Sequence, residues 1–188
     1  MRSSSRPPER LSELQRTHRL LIAAALVAGL WGLRTGLPTG VGLHFLGAAC
    51  LYLLFGAPRA LLGLALAAAL AALLGGTPFG ALPWAWLANG ALPVAVVWGM
   101  HRAVVRYAPA NPFFYVFCVA FAGAGLSMIA SLALHGAAGA RVEPFVALSL
   151  MMGFGEAFLT GMLVTILVVY RRDWVVTFDD ARWLAPRA

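Results

Sequence analysis

Charge is scarce in this 188-residue chain: Asp, Glu, Lys and Arg make up 11% of it, against 61% hydrophobic residues. A water-soluble domain carries about 25% charged residues, so there is too little polar surface here to face solvent. Lysine is absent, and all 14 basic residues are arginine. The two cysteines, Cys50 and Cys118, lie inside apolar runs and read as small apolar side chains rather than a disulfide framework. The chain has no P-loop, dinucleotide fingerprint, Ser/His/Asp set or zinc-protease motif, which argues against an ATPase, a hydrolase or an intrinsic cofactor. A net charge of +7 suggests nucleic acid at first sight. The arginines fall between apolar runs without forming a basic domain, so no nucleic-acid partner is expected.

What is present is a succession of long apolar runs. A helical crossing needs about 20 apolar residues, and the chain accommodates an all-α, polytopic membrane bundle of about six helices. Its boundaries are a polar amino-terminal tail over 1–19, a transmembrane domain over 20–170 and a polar tail over 171–188. The spans are expected near 20–37, 41–55, 60–74, 81–105, 113–134 and 144–170. A short interfacial helix is expected from Ser12 to Arg19. The run from Leu20 mimics a signal peptide, but no small-x-small cleavage site follows it, so an uncleaved first helix is expected. In the fourth segment Pro83, Pro93 and Asn89-Gly90 predict a kink or break. With the amino terminus inside, every arginine except Arg34 and Arg141 lies on the cytoplasmic side. That bias predicts both termini in the cytoplasm of a bacterial inner membrane. Continuous rather than alternating apolar runs exclude a β-barrel.

Ionisable groups inside a bilayer are costly and mark functional candidates. Glu156 stands well inside the sixth run and must be neutral, paired or facing a polar hollow. His44 and His135 approach the same outer face, with Glu143 nearby. Imidazole nitrogen suits Ni²⁺ or Co²⁺, so His44, His135, Glu143 and Glu156 are the candidate metal ligands. Asn89, Trp84 and Trp86 in the interrupted fourth segment are candidates for lining a substrate cavity. The scattered methionines, and the small-residue ladders Ala24-xxx-Ala28 and Ala25-xxx-Gly29, read as packing. His18 and His101 read as cytoplasmic interface anchors.

Four stretches carry a resemblance: His44-Phe-Leu-Gly-Ala, Ala110-Asn-Pro-Phe-Phe-Tyr, Glu156-Ala-Phe-Leu-Thr-Gly-Met and Val169-Tyr-Arg-Arg-Asp-Trp-Val-Val-Thr-Phe-Asp-Asp. They resemble the energy-coupling factor transporter permeases, in a bacterial branch related to the CbiM-type membrane component of cobalt and nickel importers. The resemblance covers roughly residues 40 to 183. It implies a small helical membrane protein that binds a metal ion from outside, working with a second transmembrane subunit and cytoplasmic ATPases. The better-understood importers hold the metal with a histidine directly after the initiator methionine. Residue 2 here is Arg2, so that half of the site has no counterpart at this position.

The expected function is therefore the substrate-binding membrane subunit of an importer for a divalent transition metal ion of the cobalt or nickel class. Arg102, Arg106, Arg171, Arg172, Asp173, Asp179 and Asp180 are expected to face the partner subunit. The alternatives are a non-transporting membrane assembly protein and an importer of a small vitamin-like organic substrate.

Overall fold

The computed structural model describes residues 13–32, 35–36, 42–75, 77–139 and 145–184. Helix α1 is Glu13–Gly32. A two-residue antiparallel pairing of Thr35–Gly36 with Gly42–Leu43 follows it. Then come α2 (Ala48–Phe55), α3 (Ala57–Leu73), α4 (Phe79–Tyr107), α5 (Pro112–Ala137), α6 (Phe145–Tyr170) and the short α7 (Asp180–Trp183). Among the described residues, three helices are long and apolar enough to cross a membrane: α4, α5 and all but the first residue of α6. Helix α3 is shorter, at 17 residues. The fold is all-α, as expected.

The second run departs from expectation. Instead of a crossing from residue 41 to 55, it forms a non-helical segment over 44–47 and the eight-residue α2. Gly47 sets the boundary. Its φ of +64° is left-handed, and a Cβ there would sit 2.8 Å from Cγ2 of Val27, so glycine alone fits without strain. The half-length α2 is central, touching α1, α3, α4, α5 and α6, and five of its eight residues are buried. The first run departs too. The interfacial helix expected over Ser12 to Arg19 and the span that follows it form one continuous α1 from Glu13.

Helix α1 buries Ala24, Val27, Ala28 and Trp31 at three- and four-residue spacing and packs on α3. The Ala24/Ala28 ladder is thus used, while Ala25 and Gly29 face outward. Helices α5 and α6 cross on small residues: a Cβ on Gly125 would lie 3.1 Å from the carbonyl oxygen of Gly153.

The break expected at Asn89-Gly90 is instead a π-helical turn over Leu87–Ala91 within a continuous helix. Pro93 has no N–H and its ring crowds the carbonyl four residues back. The wider turn, in which Leu92 N–H reaches the carbonyl of Leu87, absorbs the mismatch without ending the helix. A second π-helical stretch, Tyr115–Ala122, widens α5.

The chain after α6, expected as a polar tail, folds back onto the bundle. Val175 and Trp183 are each 2% exposed and Phe178 is buried with them in the core. Thr177 donates from its N–H (3.3 Å) and its hydroxyl (2.8 Å) to the carbonyl of Leu53, near the end of α2. Arg182 reaches the carbonyl of Val105 at the end of α4. The apolar residues here come in short, irregularly spaced groups, Trp174-Val175-Val176, Phe178 and Trp183-Leu184, so no period revealed the buried face.

Candidate metal-handling site

Glu156 lies eleven residues past Phe145, about 16 Å along α6 at 1.5 Å per residue. It is 2% exposed. Its Oε2 accepts from Leu46 N–H and its Oε1 from Gly47 N–H, each at 2.9 Å. The carboxylate therefore stands at the amino-terminal end of α2, where the helix dipole favours negative charge. Of the states expected for this acid, neutral, paired or facing a hollow, the structure shows it bonded to the backbone of a loop 110 residues away in sequence.

That loop presents His44. Trp31, 1% exposed, donates its indole N–H to the carbonyl of Leu46 at 3.1 Å. Gly155 lets the ring of Phe45 lie against α6, since a Cβ there would come within 2.8 Å of Cε1. His44 is half-buried, its Nδ1 is 3.2 Å from the carbonyl of Phe45, and its ring centroid is 5.4 Å from that of Trp31. His44 is thus on a non-helical segment tied to Glu156, not inside a span. Ser149, on the same face of α6 two turns before Glu156, is buried with its hydroxyl unpartnered among the described residues.

His135, Asn89 and Trp84 form a different cluster. The indole N–H of Trp84 points at His135 Nδ1 (3.3 Å), and His135 Nε2 is 3.1 Å from Asn89 Oδ1. The same oxygen accepts from the Ser131 hydroxyl at 3.1 Å. One neutral tautomer satisfies all three contacts: Nδ1 accepts and Nε2–H donates. Both ring nitrogens of His135 are thereby engaged, and a metal would have to displace Trp84 or Asn89. Asn89 serves to join α4 to α5. Trp86 stands apart and donates to the carbonyl of Leu61 at 3.1 Å, joining α4 to α3.

Glu143 lies outside the described residues. Among the described residues, no three His, Cys, Asp or Glu side chains converge to hold a metal. Of the three described candidate ligands, Glu156 on α6 is bonded to the loop that carries His44, and His135 belongs to a separate hydrogen-bonded network. The thiols of Cys50 and Cys118 are free, as expected.

At the opposite end of α2, the Tyr52 hydroxyl lies 2.8 Å from Nδ1 of His101. The ring of His101 also meets the edge of Tyr115, with centroids 5.9 Å apart. The Tyr115 hydroxyl bonds Thr177 Oγ1 at 2.7 Å. His101 is therefore half-buried and bonded across to α2 rather than standing free at an interface; sequence reasoning missed these contacts because Tyr52 and Tyr115 lie in other runs.

The residues expected to meet a partner lie near this end. Arg102 stacks over Trp98 and Arg106 over Tyr107. With Tyr52 and His101 these residues border an open hollow of about 590 Å³. Arg171 pairs with Asp173 at 3.2 Å, and its guanidinium holds the Asp173 carboxyl below the usual carboxylate range. Arg172 approaches Asp180 at 3.9 Å. Asp179 accepts from Ala181 N–H at 3.0 Å and caps α7.

Comparison with known proteins gives one family. The model of the CbiM family, described as the cobalt uptake substrate-specific transmembrane region, matches residues 5–174. No curated protein and no solved structure matches significantly. The chain belongs to the CbiM family, a transport family, and is a multi-pass membrane component of cobalt uptake.

Proposed function

We propose that this chain is the substrate-binding subunit of an energy-coupling-factor-type importer in a bacterial inner membrane, carrying cobalt or nickel as the divalent ion. Both termini lie in the cytoplasm, as the arginine distribution requires. His44 supplies an imidazole nitrogen to an ion that arrives from outside and keeps part of its water shell, since nitrogen donors suit these ions.

The observation that carries this reading is the grip of Glu156 on Leu46 and Gly47. A buried carboxylate fixes, two residues away, the backbone that presents His44. A cation arriving at His44 approaches that carboxylate and competes with its backbone donors. Ion capture is thereby coupled to the position of α2. The hollow bordered by Trp98, Arg102 and Arg106 takes an element of a second transmembrane subunit, and Arg171 to Asp180 extend that face. Cytoplasmic ATPases act through that subunit.

The test is uptake of ⁵⁷Co²⁺ and ⁶³Ni²⁺ by cells carrying wild type, His44→Ala or Glu156→Gln, with membrane levels matched. Loss in both variants is expected, and uptake unchanged in both removes the site. Elemental analysis of purified protein incubated with Ni²⁺, Co²⁺, Zn²⁺ and Cu²⁺ identifies the ion.

A further inference from the structure

A groove of about 280 Å³ runs between α1 and α6 at the end of the molecule where α1 begins and α6 finishes. Its walls are apolar: Leu26 from α1, Leu54 from α2, and Leu163 and Leu167 from α6. Leu26 is 67% exposed and Leu163 42%, so the groove opens sideways, where a bilayer would lie. Its rim is different in kind. Arg16, Arg19 and Arg59 stand there with Trp174.

Two of these groups lack a partner. Nη1 of Arg19 and the indole N–H of Trp174 are buried, and neither finds a hydrogen-bond acceptor among the described residues. They belong together, because the Arg19 guanidinium lies 4.0 Å from the centroid of the Trp174 ring. Buried donors without acceptors are uncommon in folded proteins, and both of these are donors only. Two carboxylates stand at the same rim. Asp173 is held by Arg171 at 3.2 Å, and Glu13 is shared by Arg59 at 2.7 Å and Arg16 at 3.8 Å, which leaves Nη1 of Arg19 without an acceptor among the described residues. The rim thus offers an acceptor-rich anion two unsatisfied donors, one of them on a guanidinium, above a slot lined by hydrocarbon.

We propose that this groove binds an anionic phospholipid. The phosphate accepts from Arg19 and Trp174, with Arg16 adding charge, and one acyl chain follows Leu26, Leu54, Leu163 and Leu167. A free phosphate would leave the apolar walls empty, and a zwitterionic lipid would bring its own cation against the arginines. The groove shares Leu26, Leu54 and Leu163 with a neighbouring hollow that Phe45, Gly47 and Glu156 line, but the proposal does not rest on the metal reading. The lipid ties α1 to Trp174, the first turn of the segment that docks on α2.

Native mass spectrometry tests it on the full-length protein purified in non-ionic detergent and offered equal phosphatidylglycerol and phosphatidylcholine. Wild type is expected to retain phosphatidylglycerol about fivefold better or more. Arg19→Gln removes that preference. Leu163→Trp, which fills the groove and leaves the rim charge, lowers retention of both lipids. Size-exclusion profiles establish that the variants fold. Equal retention of the two lipids by wild type overturns the proposal. So does an unchanged preference in Arg19→Gln, or undiminished retention in Leu163→Trp, which would reduce the site to surface charge. A protein segment found in the groove in place of lipid also overturns it.

Discussion

Two buried oxygen acceptors serve this fold in different ways. Asn89 Oδ1 collects side-chain donors, Ser131 and His135, from the neighbouring helix α5. All members stand on long helices, so the network fastens two rods. The carboxylate of Glu156 collects backbone donors from a segment with no regular structure of its own. It fastens a loop, and through the loop the start of α2. The first acceptor is architecture. The second holds in place the stretch that carries His44, and on the proposed reading it is where an arriving charge would act on the position of α2.

The largest effect should come from breaking the loop side. Glu156→Ala leaves two buried N–H groups without an acceptor, at about 1–3 kcal/mol each. Cobalt uptake should fall by about an order of magnitude or more, and hydrogen exchange at Leu46 and Gly47 should lose its protection. Glu156→Gln keeps one acceptor and should protect one of those amides. Breaking the helix side gives the contrast. Asn89→Leu strands Ser131 and His135, and should lower stability by about 1–3 kcal/mol in thermal unfolding. Exchange at Leu46 and Gly47 should then stay slow. If the Asn89 variant exposed those amides too, the two acceptors would be one unit and the distinction would fail. Trp84→Phe removes only the donor to His135 Nδ1 and should cost about 1 kcal/mol in the same melt. The smallest effect belongs to an exposed pair. Arg171 lowers the Asp173 carboxyl below its ordinary range, so its contribution is present above the ordinary carboxylate value near 3.9. It disappears as pH falls through the lowered one. Arg171→Gln should abolish that acid-side slope in a pH series of melting points and change little at neutral pH.

The sequence spoke clearly about medium and class, because 61% hydrophobic composition leaves no alternative to lipid. It pointed to Glu156 for the same reason: a lone acid in an apolar run must be neutral, paired or facing a polar hollow. The partner itself was hidden, since Leu46 and Gly47 contribute only backbone, and backbone donors leave no trace in residue type. His135 was grouped with His44 because both sit near one face in a linear reading. Only three dimensions bring Trp84, Asn89 and Ser131 around one of them. The second run was read as a crossing on its hydropathy. The left-handed Gly47 that splits it is one glycine among 20.

Helix α2 is gripped at both ends by one stretch of chain. Glu156 in α6 holds the residues ahead of it, and Thr177, shortly after α6, holds the Leu53 carbonyl near its end. Between them runs the rest of α6, a straight-through rod about 21 Å long at the helical rise. The arrangement is a bracket with α2 as its bolt. A force drawing the final segment away from Leu53 would load the far end of the bracket as well, so the loop that carries His44 and the face near Trp183 form the two ends of a single mechanical link.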